Sequence, residues 1–253
     1  RRVVAVGSLH GDMSAALSVL RMAGVIDDGG KWAGGSHTVL VQTGNVIDYG
    51  PDTKDLLTLF PRLVQEANRA GGRVMQLLGR HELMNMLGDL RFVRERSDEF
   101  LTSDSRATTF SPTGYLGFRL FNLPAVHQIG DTIFAHGGIL PAWATKNIYA
   151  INRLVADGLI SYTNKLKNDA SAVRPPILDT TGPLQCDGYM EGATAPACSI
   201  LEHTLSRMGV KRMVIGSSLQ ENGTIRSQCN GQLFSVNVGI SSAIRGNKAA
   251  LEI

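Results

Sequence analysis

No stretch of this sequence approaches the eighteen or so unbroken apolar residues that a membrane-spanning helix needs, and no dense block of lysine and arginine interrupts it. The first absence argues against a helical span. The second, with a net charge of only +3, leaves nucleic acid or anionic membrane binding without compositional support. Cysteine is scarce: Cys186, Cys198 and Cys229 are odd in number, and their spacing matches neither a zinc site nor a disulfide framework. Reduced thiols in a cytosol-like compartment are therefore expected. Internal repeats and low-complexity segments are missing too. Neither a methionine nor a signal or transit peptide stands ahead of the first strand-like residues, so a chain trimmed from a longer one is expected. What is there is ordinary for a globular α/β protein: 253 residues, 43% hydrophobic and 19% charged, enough for a single domain over residues 1–253.

The first third repeats one arrangement. Residues 3–7 form an apolar run ending in glycine, followed by a polar loop and an apolar-periodic helix over residues 13–23. Residues 38–43 repeat the strand, and Asp52 or Thr53 caps a helix reaching about residue 70. A third strand over residues 73–78 opens into Gly79-Arg80-His81-Glu82. Such units predict an α/β layered fold with ligands beyond the carboxyl ends of the strands. Further along, residues 125–129 and 132–136 pair about Gly130-Asp131, and residues 212–216 form a strand with Ser217-Ser218 as its exit loop. Residues 224–229 and 232–237 close as a hairpin about Asn230-Gly231. Residues 141–190 hold one amphipathic helix and then breakers such as Arg174-Pro175-Pro176, and read as an insertion or lid.

The chemistry-bearing residues gather at strand exits: Ser8 and His10, Asn45 and Asp48, Arg80 and His81, His136, and Ser217. Scattered histidines and carboxyl-type residues brought to one sheet edge are how binuclear metal sites are assembled. A lone loop histidine, however, is more often a hydrogen-bonded structural residue than a ligand.

The order of these segments resembles the calcineurin-like metallophosphoesterases of the phosphoprotein phosphatase superfamily, and within them the Shewanella-like phosphatases. That family reads GDxHG, GDxxDRG, GNHE, HGG and GHT at successive strand ends. Here stand Gly7-Ser8-Leu9-His10-Gly11, Gly44-Asn45-Val46-Ile47-Asp48-Tyr49-Gly50, Gly79-Arg80-His81-Glu82, His136-Gly137-Gly138 and Gly216-Ser217-Ser218. The run Met84-Asn85-Met86-Leu87-Gly88-Asp89-Leu90-Arg91 is similar to the Shewanella-like branch in particular. The resemblance implies a calcineurin-like fold, a layered αββα sandwich of two mixed sheets flanked by helices.

For the chemistry it implies loss. The family would use two divalent metals such as manganese, iron or zinc. Its ligand positions carry Ser8, His10, Asn45, Arg80, His136 and Ser217 here, so only His10 and His136 are retained. An amide at the bridging position lacks the charge that holds two dications together. The phosphate-clamping arginine of GDxxDRG is Tyr49, and a second aligns with Asp187, whose carboxylate would repel a phosphoryl group. The general-acid dyad, Asp48 with His81, is intact but lacks an activated water. No metal cofactor is expected. Arg80 is expected to turn inward, replacing the second metal by bonding Asp48, Asn45 or Ser217.

These residues lead to a catalytically inactive phosphatase-fold protein, a pseudophosphatase, acting as a structural or interaction subunit. A non-hydrolysing phosphate or phosphopeptide binder using Arg80 and the histidines is the alternative. An enzyme with a mononuclear site on His10 and His136 ranks last, because two neutral imidazoles hold a divalent metal weakly. Protein partners are expected, in a multi-subunit organellar assembly, with association to a membrane as a further expectation. The plant and algal members of the resembled branch imply an organellar, chloroplast location, with the cytoplasm as alternative.

Overall fold

The structure is a computed structural model and describes residues 1–94, 99–186, 188–189 and 194–253. Among the described residues nine strands form two sheets. The first has the order β3-β2-β1-β9, from β1 (Arg2–Val6), β2 (Thr38–Gln42), β3 (Arg73–Gln76) and β9 (Leu251–Glu252). β1, β2 and β3 run parallel, whereas β9 pairs antiparallel with β1. The second has the order β4-β5-β6-β8-β7, from β4 (Val126–Ile129), β5 (Thr132–Ala135), β6 (Arg212–Leu219), β7 (Arg226–Gln228) and β8 (Leu233–Asn237). Both are mixed, as the family resemblance implies.

Strand alternation explains the layering. Val3, Ala5, Val39 and Val41 face the second sheet and meet Phe134, Val214 and Val236 in a dry inter-sheet layer. Their neighbours Val4, Val6, Leu40 and Val74 face outward into the larger core beneath the helices. Strands buried on both faces need apolar side chains on both, as Val3, Val4, Ala5 and Val6 of β1 and Val39, Leu40 and Val41 of β2 supply.

The helices are α1 (Met13–Met22), α2 (Thr53–Arg69), α3 (Arg80–Met86), α4 (Ser103–Phe110), α5 (Gly117–Leu120), α6 (Ile148–Leu166) and α7 (Ala195–Met208). Asp12 caps α1 by accepting the Ala15 N–H. Asp52 sits at the start of α2, but its carboxylate accepts the Met13 N–H instead and so staples α2 to α1. Pro61 lies inside α2 and has no N–H to give Leu57, four residues back. The Leu57 carbonyl is taken by the Arg119 guanidinium at 2.6 Å. Within the segment expected as an insertion or lid, α6 buries Ile151, Val155 and Leu159 in the common core.

Two sequence expectations are corrected. The thiols are not all reduced: Cys198, near the start of α7, is joined to Cys229 in the β7–β8 turn, and Cys186 is buried in the core outside that disulfide. The pair lies 31 residues apart, and only the packing of α7 beside the hairpin brings it together. Ser217 and Ser218 lie within β6, which runs to Leu219 with a register shift after Ile215, rather than in an exit loop. The expected hairpin is present, its turn made by Cys229 and Asn230 at positive φ. No helix among the described residues is long and apolar enough to cross a membrane.

Candidate functional site

The loops after β1, β2, β3 and β5 meet β6 at one edge of the sandwich. Of the six non-glycine residues with positive φ among the described residues, four, namely His10, Asn45, Asp48 and Tyr49, lie in the first two of these loops. Such backbone costs on the order of 1–3 kcal/mol per residue and persists only where the surroundings fix it. The brace is Glu82. Fully buried in the first turn of α3, it accepts the N–H groups of Asn45 and Gly79 at 2.8 Å and of Val46 at 2.7 Å. Burial pushes its carboxyl above the usual range, while these donors and the nearby His81 pull it back. Gly79 is obligatory, because a Cβ there would lie 2.3 Å from the Asn45 nitrogen.

Asp48 is the centre of a closed polar network. His81 Nδ1 donates to Asp48 Oδ2 at 2.8 Å, and Asn85 Nδ2 reaches both carboxylate oxygens at 3.0 and 3.1 Å. Arg106 Nη2 donates to Asp48 Oδ1 at 2.8 Å and its Nε to Asn85 Oδ1 at 2.7 Å. Arg106 is 2% exposed, and its guanidinium lies over the rings of Phe100 and Phe110 at 4.8 and 5.1 Å. Burial lowers its pKa, opposed by Asp48 and Glu99.

A cavity of about 180 Å³ opens beside this network, lined by His10, Tyr49, Arg80, His81, His136 and Ser217 among others. His136 Nδ1 donates to the Thr43 carbonyl at 2.8 Å, and burial foremost lowers its pKa to about 4. His10 is lowered to about 3, by burial and then by His81. Both imidazoles are neutral. Tyr49 packs its ring against His10 at 4.9 Å and His81 at 5.4 Å, so the expected clamp position holds an aromatic body.

The donor set does not fit a bridged pair of dications. Asn45 Oδ1 already accepts the His81 N–H at 2.9 Å, and Ser8 Oγ donates to the Gly216 carbonyl at 3.2 Å. Asp12 is bound to Ser242 and Ala15, Glu82 to backbone, and Asp48 to three side chains. Among the described residues these carboxylates therefore offer no free anionic oxygen to the cavity. Among the described residues no group of three or more His, Cys, Asp or Glu could hold a metal ion.

Comparison with known proteins agrees with this geometry at the level of family. The chain is 32% identical over 99% of its length to an uncharacterized protein of Schizosaccharomyces pombe, covering 76% of it. It is 30% identical to Shewanella-like protein phosphatase 2 of Arabidopsis thaliana, across 95% of this chain and 71% of that one. The chain belongs to the Shewanella-like protein phosphatase family. The crystal structure of a cold-active protein-tyrosine phosphatase of a psychrophile Shewanella sp. superposes on this family member with a TM-score of 0.83 and 27% identity. That match covers all of this chain and 75% of the other. No family model matches the sequence.

Within that family frame the sequence-derived site residues separate. Ser8, His10, Asn45, Asp48, His81 and His136 are buried together. Asp187 lies outside the described residues. Arg80 departs from expectation. It is exposed at the cavity mouth, and among the described residues it makes no hydrogen bond or ion pair. Arg80 opens α3, whose N-terminal dipole repels an inward cation, and Arg106 already neutralises Asp48. Arg80 acts at longer range, helping to lower the pKa of His136. Ser217 Oγ is buried without a partner. Sequence reasoning missed Arg106, Asn85 and Glu82. Glu82 three residues after Gly79 fits a capping-box spacing, and Asn85 falls four residues after His81 on one helix face. Nothing in the spacing marks Arg106.

Proposed function

We propose that this chain is a Shewanella-like phosphatase-fold protein that does not hydrolyse phosphate esters and serves as a structural or interaction subunit of a larger protein assembly. The observation that carries the reading is the commitment, among the described residues, of the amide and carboxylate oxygens nearest the cavity, above all Asn45 Oδ1, which is occupied by the His81 N–H. The general-acid pair Asp48 and His81 keeps its geometry, yet a general acid needs an activated nucleophile to complement it. The test is metal analysis of the purified protein together with p-nitrophenyl phosphate hydrolysis in added manganese. We expect no stoichiometric metal and no turnover. Two metals per chain with turnover would overturn the reading. The reverse experiment is stronger: Ser8→Asp, Asn45→Asp, Arg80→Asn and Ser217→His combined should raise manganese affinity at least a hundredfold.

A second reading has its own support. The unpartnered Ser217 hydroxyl and the free Arg80 guanidinium face one cavity with two histidines, a donor arrangement suited to a phosphate group that is held and not turned over. Titration calorimetry with inorganic phosphate and phosphoserine peptides decides it, since absence of heat at millimolar ligand removes it. For place and partners, an organellar assembly, chloroplast in a plant cell, is the proposal. The Arabidopsis relative supports plant kinship, and localisation of a full-length fluorescent fusion is the check.

A further inference from the structure

A distinctly apolar concavity lies away from the histidines. A groove of about 480 Å³ runs along β3, the outermost strand of the first sheet, between α2 and the segment around α5. Leu57, Pro61 and Val64 of α2 form one wall, and Leu120, Leu123 and Pro124 the other. The floor is an open strand edge. The Leu77 N–H reaches the Gln42 carbonyl of β2, whereas the Leu78 N–H turns the other way to Pro124. Strand alternation therefore directs the N–H and C=O of Val74 and Gln76 away from β2, and among the described residues neither has a backbone partner on that side. An edge left in this state is a template for another strand.

A second, independent observation points to a ligand. Gln76 is only 7% exposed, lines this groove, and its Nε2 is buried with no hydrogen-bond partner. A buried amide donor left unpaired destabilises the fold, and an acceptor arriving in the groove would relieve that loss. The rim supplies the charge. The α2 stripe that lines the groove continues at helical spacing to Arg69, Arg73 opens β3, and Arg119 spans to the Leu57 carbonyl. Among the described residues no carboxylate pairs with any of the three.

We infer that the β3 edge is the docking site for an extended segment of a partner protein, apolar at alternating positions and acidic at its flanks, which adds as a strand beside Val74 and Gln76. Backbone pairing supplies the unmet N–H and C=O partners, alternate apolar side chains fill the groove, and the flanking carboxylates meet the arginines. A small apolar molecule would leave the edge unpaired, and a basic segment would face three like charges. The inference gives the partner chemistry for an interaction subunit but does not depend on loss of catalysis, because the groove shares no lining residue with the histidine cavity.

The test is a random-peptide display selection against the intact chain, followed by synthetic copies of enriched sequences. We expect alternating apolar residues bracketed by Asp or Glu. Binding should slow hydrogen exchange of the Val74 and Gln76 amides at least tenfold. Proline placed at the peptide's central edge-facing position should abolish binding, and Arg73→Glu, at an exposed position, should weaken it at least tenfold while leaving the melting temperature unchanged. Val64→Asp in the groove wall is the second variant, and it should abolish binding. Enrichment of no sequence, enrichment of helical-period sequences, or peptides that ignore both variants and leave those amides unprotected would overturn the proposal. So would a dimer of the chain, seen by sedimentation, that Val64→Asp dissolves. None of these outcomes bears on the hydrolysis assay, so the two readings fail separately.

Discussion

Asp48 shows how far one residue's role depends on a neighbour that its own motif does not name. Its carboxylate is buried against His81, Asn85 and Arg106, and only Arg106 brings a permanent full charge. Removing one member of a buried ion pair strands the other, at a cost of about 3–5 kcal/mol. Arg106→Leu should therefore lower unfolding free energy by about that amount in urea titrations, and Asp48→Asn added to it should restore part of the loss. The histidines give a pH signature with a definite sign. Unfolded imidazoles titrate near 6.5, whereas folded His136 is held to about 4 and His10 to about 3. Below 6.5 the unfolded chain takes up protons that the folded chain refuses, so stability falls with acid through this range. The urea midpoint should drop between pH 7.5 and pH 5, and His136→Gln should shrink that drop. At this scale the sequence was legible where a motif fixed the residue, as for His10, Asp48, His81 and His136. It was mute about Arg106, which sits in a weakly patterned polar stretch and acquires its meaning only when α4 packs against α3.

At the scale of elements, the loops are held by the helix that follows them. Glu82 belongs to α3, yet its bonds stabilise the loop after β2. Glu82→Gln replaces one oxygen acceptor by a donor facing backbone N–H groups. It should cost about 2–4 kcal/mol and broaden the amide signals of Asn45 and Val46, read by urea melts and NMR. The strands and most helix spans were legible, because apolar runs of four to eight residues ended by glycine have few other readings. The extension of β6 through Ser217 was not, since its register shift depends on pairing with β8. The Cys198–Cys229 link was not legible either. A cross-link closing a loop of this size restrains the unfolded chain by about 3–4 kcal/mol. Thermal melts with and without dithiothreitol should differ by several degrees, and Cys198→Ser should reproduce the reduced curve.

For the whole molecule, the two-sheet sandwich follows from strands apolar on both faces and helices apolar on one. The resemblance in motif order reached the same architecture independently of that periodicity. The tertiary pairing of α4 with the site is what neither route could supply. It has a consequence for how the protein meets its surroundings. In a site whose carboxylates are balanced by bound ions, folding is tied to whatever ions the medium provides, and a chelator loosens it. Here Arg106 is encoded in the chain and folds with it, so the charge of Asp48 is balanced before any ion arrives. Melting temperatures in EDTA, in manganese and in plain buffer should coincide within error, and a rise of several degrees in manganese would contradict this. The fold carries its counter-charge with it and should stand equally well in metal-poor and metal-rich media.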